Sequence, residues 1–111
     1  MEAKAILRRV RISPRKMRIL ANLVRGKRVE EALRLLKHSS KRSGIVLHKL
    51  LVSALANAEH AGIGDVDNFF VRACCIDNGP IEKRWLARAM GRANRIQRRT
   101  SHVTIVVAAA A

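Results

Sequence analysis

The chemistry open to this chain lies in its arginines. Between Ile81 and Arg99 stand Lys83, Arg84, Arg88, Arg92, Arg95, Arg98 and Arg99, against the single acid Glu82. A guanidinium forks two donors onto a phosphate and stacks on base planes, so an arginine-rich run points to a polyanion rather than to a reaction. A stretch with so few apolar residues cannot bury enough surface to offset the entropy of its own ordering. It makes sense when an anionic partner completes it. Trp85, the one tryptophan, lies inside the run and suits either a core anchor at its base or a stacking platform for a nucleotide.

Catalytic and metal chemistry have no comparable basis. A hydrolytic centre needs a nucleophile, a base and an orienting group brought together, and the scattered serines, histidines and the acids Asp65, Asp67 and Asp77 show no such arrangement. Asp65 and Asp67 are spaced to share a magnesium ion, yet loop solubility explains them better. No glycine-rich phosphate loop is present. His38, His48, His60 and His102 lack metal-ligand spacing, and Cys74 and Cys75 form no C-x-x-C. The expectation is a binding protein: no enzyme, no cofactor, no metal.

Charge bounds the partner. The 111 residues carry a net charge of +15, which nucleic acid explains better than an anionic membrane, since no basic amphipathic helix with an aromatic face stands out. Bases outnumber acids ten to one in residues 1–28 and seven to one in 81–111, but only five to three in 29–60, and acids lead three to one in 61–80. Two basic surfaces on one small body follow. A hydrophobic share of 49% excludes wholesale disorder, and the length suits one domain, residues 1–111. No apolar run reaches the roughly 18 residues a membrane helix needs. Adjacent cysteines on a strand point to opposite faces, so a disulfide between them is sterically poor and a reduced, intracellular setting is expected.

These residues need elements to hold them. Residues 2–12 suit a strand with one wet face. Ser13-Pro14 reads as an N-cap and first helical residue, and Met17, Leu20 and Val24, with Ile19 and Leu23 beside them, make the apolar stripe of a helix ending at Gly26. A shorter helix begins near Val29, with Glu30 and Glu31 in its first turn and Lys37 in its last. Ser39 or Ser40 caps a third, from Lys41 to about His60, whose Val46, Leu47, Leu50, Leu51, Ala54, Leu55 and Ala58 form the core face. Phe69–Asp77 and the β-branched run Ser101–Val107 read as strands. The class is α+β: three helices on one face of a small antiparallel three-stranded sheet. Arg84, Arg88 and Arg92 recur every four residues, which allows a basic helix between the last two strands. The flanking antiparallel strands favour instead a β-hairpin at about 79–100, turning near Met90-Gly91 and projecting roughly 30 Å.

Several runs in register then resemble one family. ISPRKMR (12–18), LVRGK (23–27), SALANAEH (53–60), GP (79–80), RAMGRA (88–93) and RTSHVTIVV (99–107) are similar in order and spacing to bacterial-type large-subunit ribosomal protein number twenty-two. The likeness spans nearly all of residues 3–107. It implies a body bound to large-subunit rRNA beside neighbouring ribosomal proteins, and a hairpin lining the nascent-peptide exit tunnel. The contacts it implies come from Arg8, Arg9, Arg11, Arg15, Lys16 and Arg18 around the first helix, and from Arg25, Lys27 and Arg28 behind it. The finger and its return strand add Lys83, Arg84, Arg88, Arg92, Arg95, Arg98, Arg99 and His102. Its tip, facing the nascent peptide, would be Trp85, Leu86, Ala87, Arg88, Ala89, Met90, Gly91 and Arg92. Asn78, Trp85, Ala87 and Met90 depart from the family's usual residues. The implied setting is the cytoplasmic ribosome, or an organellar one, with no homo-oligomer.

The rival is a helix-turn-helix regulator, the helices of residues 14–25 and 29–37 flanking a glycine turn, with Arg34 or Lys37 reaching bases of duplex DNA. The two readings part on assembly. Co-sedimentation with the large ribosomal subunit at high salt is expected, whereas a dimer that prefers duplex DNA would support the regulator.

Overall fold

The computed structural model describes residues 2–62, 64, 66–87, 91 and 93–109. In chain order these form β1 (Glu2–Val10), α1 (Pro14–Val24), α2 (Val29–Lys37), α3 (Arg42–Ala61), a short 3-10 turn (Val66–Asn68), β2 (Phe69–Ala87) and β3 (Ala93–Ala109). The sheet is antiparallel throughout, in the order β1-β3-β2.

Helical spacing of apolar residues decides which faces are buried. In α3, Leu47, Leu50, Leu51, Ala54 and Ala58 are buried, with Val46 and Leu55 half-buried at the margin. In α1 the stripe is Met17, Leu20, Ala21 and Val24. Ile19 and Leu23 stand outside it, 53% and 46% exposed. From α2 come Val29, Ala32 and Leu36. These stripes meet one face of the sheet, where Ala5, Val71, Cys74, Ile76, Val103, Ile105 and Val107 are buried. α3 lies over β1 and β3, α1 over β2, and α2 packs on α3. The other face, with Lys4, Ile6, Cys75, Asp77 and Thr104, is open.

Chain turns are fixed by backbone geometry. Ser13 occupies the N-cap of α1 in extended conformation without a side-chain capping bond, and Pro14 follows it. Gly26 takes φ +82°, a left-handed value that suits glycine. There its N–H donates to Val71 O at 2.9 Å, and Val71 N–H returns to Lys27 O at 2.8 Å. The expected serine cap on α3 is replaced. Lys41 is the N-cap, and the Ser39 hydroxyl accepts Lys41 N–H at 3.2 Å. Ser39 stands two residues before the N-cap and lies against Gly44, and its hydroxyl serves the preceding bend rather than a free N–H of the helix.

Both outer strands are edges, which present unpaired carbonyls unless something covers them. Asn57 of α3 donates to Lys4 O of β1 at 3.1 Å. Arg18 and Arg25 of α1 donate to Ile76 O and Cys74 O of β2, at 3.2 and 2.5 Å. Glu2 and Arg72, on the two edge strands, form an ion pair.

The adjacent cysteines do point to opposite faces, Cys74 buried and Cys75 exposed, both free. Burial pushes the Cys74 thiol up from 9.0 to about 11, with Arg25 pulling weakly the other way. The fold therefore holds the neutral thiol. That contribution is complete below pH 9 and is lost as pH rises toward 11. A Cys74→Ala variant, followed by urea denaturation, should show a shallower stability loss over that window than the parent. In the same assay Leu47→Ala is expected to cost about 2–5 kcal/mol as a core cavity. Ile45→Ala, at a position 61% exposed, should move stability by about 0.5 kcal/mol or less.

Candidate nucleic-acid interface

The basic residues gather where the sheet narrows. β1 pairs with β3 from Glu2↔Ala108 to Val10↔Ser101. Beyond that level the ladder has two strands only, β2 and β3, paired from Ile81↔Arg99 to Ala87↔Ala93. Both flanking strands bulge there. In β2 the bulge is Gly79-Pro80, opposite Thr100. A Cβ at Gly79 would collide with Thr100, and the Thr100 hydroxyl donates to Pro80 O at 2.6 Å. Proline is tolerated because a bulge needs no ladder N–H there.

In β1 the extra residues are Arg8 and Arg9, between the Leu7↔Val103 and Val10↔Ser101 pairs. Arg9 adopts φ +59°, uncommon for a residue with a side chain. Its N–H donates to His102 Nδ1 at 3.1 Å. Since Nδ1 accepts, the neutral ring carries its proton on Nε2. Just past this bulge the buried Ser101 hydroxyl donates to Ile12 O at 2.5 Å. That bond fixes the turn from β1 into α1 against β3.

A cleft results. Arg11, Ser13 and Lys16 from the β1–α1 turn, Arg42 from the start of α3, and Gln97, Arg98, Arg99 and Thr100 of β3 line it. An adjoining hollow shares Arg11, Ser13, Lys16 and Arg42 and adds Lys41, Ser43 and Ile19. Six cations from three segments wall this space, and no acid lines it. The N-termini of α1 and α3 both open onto it, adding the positive ends of two helix dipoles. Such a surface repels itself and attracts phosphate. Arg11, Arg42 and Arg99 are exposed and make no ion pair among the described residues.

Lys41 and Arg42 wall this space although sequence reasoning missed them, because apolar periodicity marks that stretch only as the start of a core helix. A signal exists: Ser39-Ser40-Lys41-Arg42, like Ser13-Pro14-Arg15-Lys16, sets two adjacent bases at the entry to a helix, two residues after a serine. Of the expected contact residues, Arg11, Lys16, Arg98 and Arg99 meet in the cleft, while Arg8, Arg9 and His102 line a separate groove on the open side. Arg15 is exposed on α1 and Lys83 on the ladder. Arg18, Arg25 and Arg28 have partners inside the molecule, Arg28 donating to Asp67 O at 2.6 Å. Lys27 lies 3.8 Å from Glu31. Gly91 is described, exposed and at φ +73°. Arg88, Ala89, Met90 and Arg92 lie outside the described residues, as do the side chains of Arg84, Trp85, Leu86, Ala87 and Arg95.

Fold and site together define a small basic α+β protein whose surface suits a polyanion. The chain belongs to the family described as Ribosomal protein L22p/L17e, whose model matches residues 5–108. It is 50% identical over 107 residues to the "Large ribosomal subunit protein uL22" of Syntrophotalea carbinolica, covering 96% of this chain and 97% of that one. The protein of the same name from Pelotomaculum thermopropionicum is also 50% identical over 107 residues, covering 96% and 95%. The helix-turn-helix reading finds no support: α1 packs on β2 and α2 on α3, each through its own stripe.

Proposed function

We propose that the protein is a structural constituent of the large ribosomal subunit in the cytoplasmic ribosome, where it acts as one rRNA-binding unit among neighbouring ribosomal proteins. The observation that carries this reading is the kinship over nearly the whole chain with proteins named for that subunit. The acid-free cleft supplies a physical reason for it. Arg11, Lys16, Arg42, Arg98 and Arg99 neutralise backbone phosphates where rRNA segments crowd together, each contact releasing condensed counterions. Arg8, Arg9, Arg15, Lys27, Lys83 and His102 add contacts outside the cleft, and Arg18, Arg25 and Arg28 contribute with the donors their internal bonds leave over.

The two-stranded basic ladder is, on this reading, the arm that reaches inward and lines the nascent-peptide exit tunnel, with Trp85 to Arg92 at its tip. Its support is the register of β2 against β3 and the family resemblance of the 88–93 run. The role is architectural: the protein neutralises and spaces RNA.

Salt dependence tests the cleft. For binding to large-subunit rRNA, the triple variant Arg11→Gln, Arg42→Gln, Arg99→Gln should lower the slope of log K against log[salt] by about 2 to 3, since each phosphate that is no longer neutralised removes roughly 0.7–0.9. Arg34→Gln with Lys37→Gln on α2 should leave the slope unchanged. A slope that responds to the α2 pair and not to the cleft triple would overturn this placement.

A further inference from the structure

The groove on the open side of the ladder's root differs in kind from the cleft. It is lined by Ile6, Arg8, Arg9, Asp77, Pro80, His102 and Thr104, with a volume of about 440 Å³. Against roughly 30 Å³ for a water molecule, that is room for a nucleotide-sized group. Two arginines and a histidine share it with a carboxylate. Asp77 is exposed, and among the described residues its side chain makes no ion pair and no hydrogen bond, even with the arginines beside it. A surface meant only to hold phosphate gains nothing from a free carboxylate, which repels it.

Register explains what the carboxylate can do. Asp77 lies directly opposite His102 on β2 and β3, so their Cβ atoms are about 5 Å apart on the same face. With His102 Nδ1 occupied by the Arg9 N–H, Nε2–H is the ring's remaining donor. Asp77 can only accept. A donor and an acceptor at that spacing fit a hydroxyl, which needs both. Ribose offers one at its 2′ position and deoxyribose does not.

We propose that this groove reads the ribose of a bound RNA strand: Arg8 and Arg9, mounted on the bulge, hold the backbone phosphate, while His102 Nε2–H donates to a 2′-hydroxyl that in turn donates to Asp77. The cleft then supplies sequence-blind attraction and the groove supplies the preference for RNA over DNA. This inference rests on the reading of the protein as an rRNA binder.

The test compares the affinity of the full chain for a large-subunit rRNA transcript with that for single-stranded DNA of the same sequence, by filter binding. Parent and Asp77→Ala are measured side by side, with thermal melting as the folding control. Removing one negative charge strengthens binding to both polymers alike, so the ratio cancels that effect. The groove predicts that the RNA-to-DNA ratio falls about tenfold in Asp77→Ala, the loss of a hydrogen bond to a charged group. A parent that prefers rRNA and a variant with an unchanged ratio would overturn the groove and leave the rRNA reading intact. A parent that fails to bind rRNA would overturn both.

Discussion

The antiparallel pairing of β2 with β3 is the interaction on which the rest of the structure depends. Inside the body β3 is bonded on both edges, and Val103, Ile105 and Val107 on its inner face are fully or almost fully buried. Past Ser101 the same strand continues, bonded to β2 alone, into the most basic part of the chain. A ladder that begins in a hydrophobic core can therefore carry residues that could not order themselves. The two bulges sit where this change occurs, opposite Thr100 and His102. Bulges bend and twist a strand locally; a third irregularity, at Arg72 between the Val71↔Val107 and Ala73↔Val106 pairs, lies within the body.

The division of labour between core and charge follows from magnitudes. A buried leucine truncated to alanine costs about 2–5 kcal/mol, whereas an exposed ion pair contributes at most about 1 kcal/mol. Stability thus resides in the helix stripes and the inner sheet face. Among the described residues, Arg11, Arg42 and Arg99 are left available to a partner. Other basic residues are held inside the molecule: Arg18 and Arg25 cap carbonyls of an edge strand, Arg28 holds the 3-10 turn through Asp67 O, and Lys27 and Arg72 pair with Glu31 and Glu2. Basic residues here do two jobs, and the geometry of α1 against β2 separates them.

Much of the architecture is legible in the sequence because its signals are periodic. The α3 stripe from Leu47 to Ala58, the Ser13-Pro14 helix start, the glycine at 26 and the β-branched run before Val107 each have one sensible reading. The rest depends on tertiary placement. That Arg42 shares a cleft with Arg99 depends on how α3 packs beside the β1–α1 turn, which the Ser101–Ile12 bond ties to β3 across a long stretch of chain. The Arg8–Arg9 bulge is a register fact, and register between β1 and β3 has no local signature. In the sequence Arg18 and Arg25 look identical to the other exposed arginines. Only the position of β2 distinguishes them. Ile19 and Leu23 flank the α1 stripe by spacing, yet the helix has room for one narrow contact face on β2 and turns them outward.

The placement of the interface is tested most directly by ultraviolet crosslinking of the assembled large subunit, with RNA adducts mapped on the protein by mass spectrometry. Adducts are expected on residues 8–16, 41–43 and 97–102, which wall the cleft and the groove. Adducts confined to α2 and the outer face of α3, with none at the ladder's root, would contradict it.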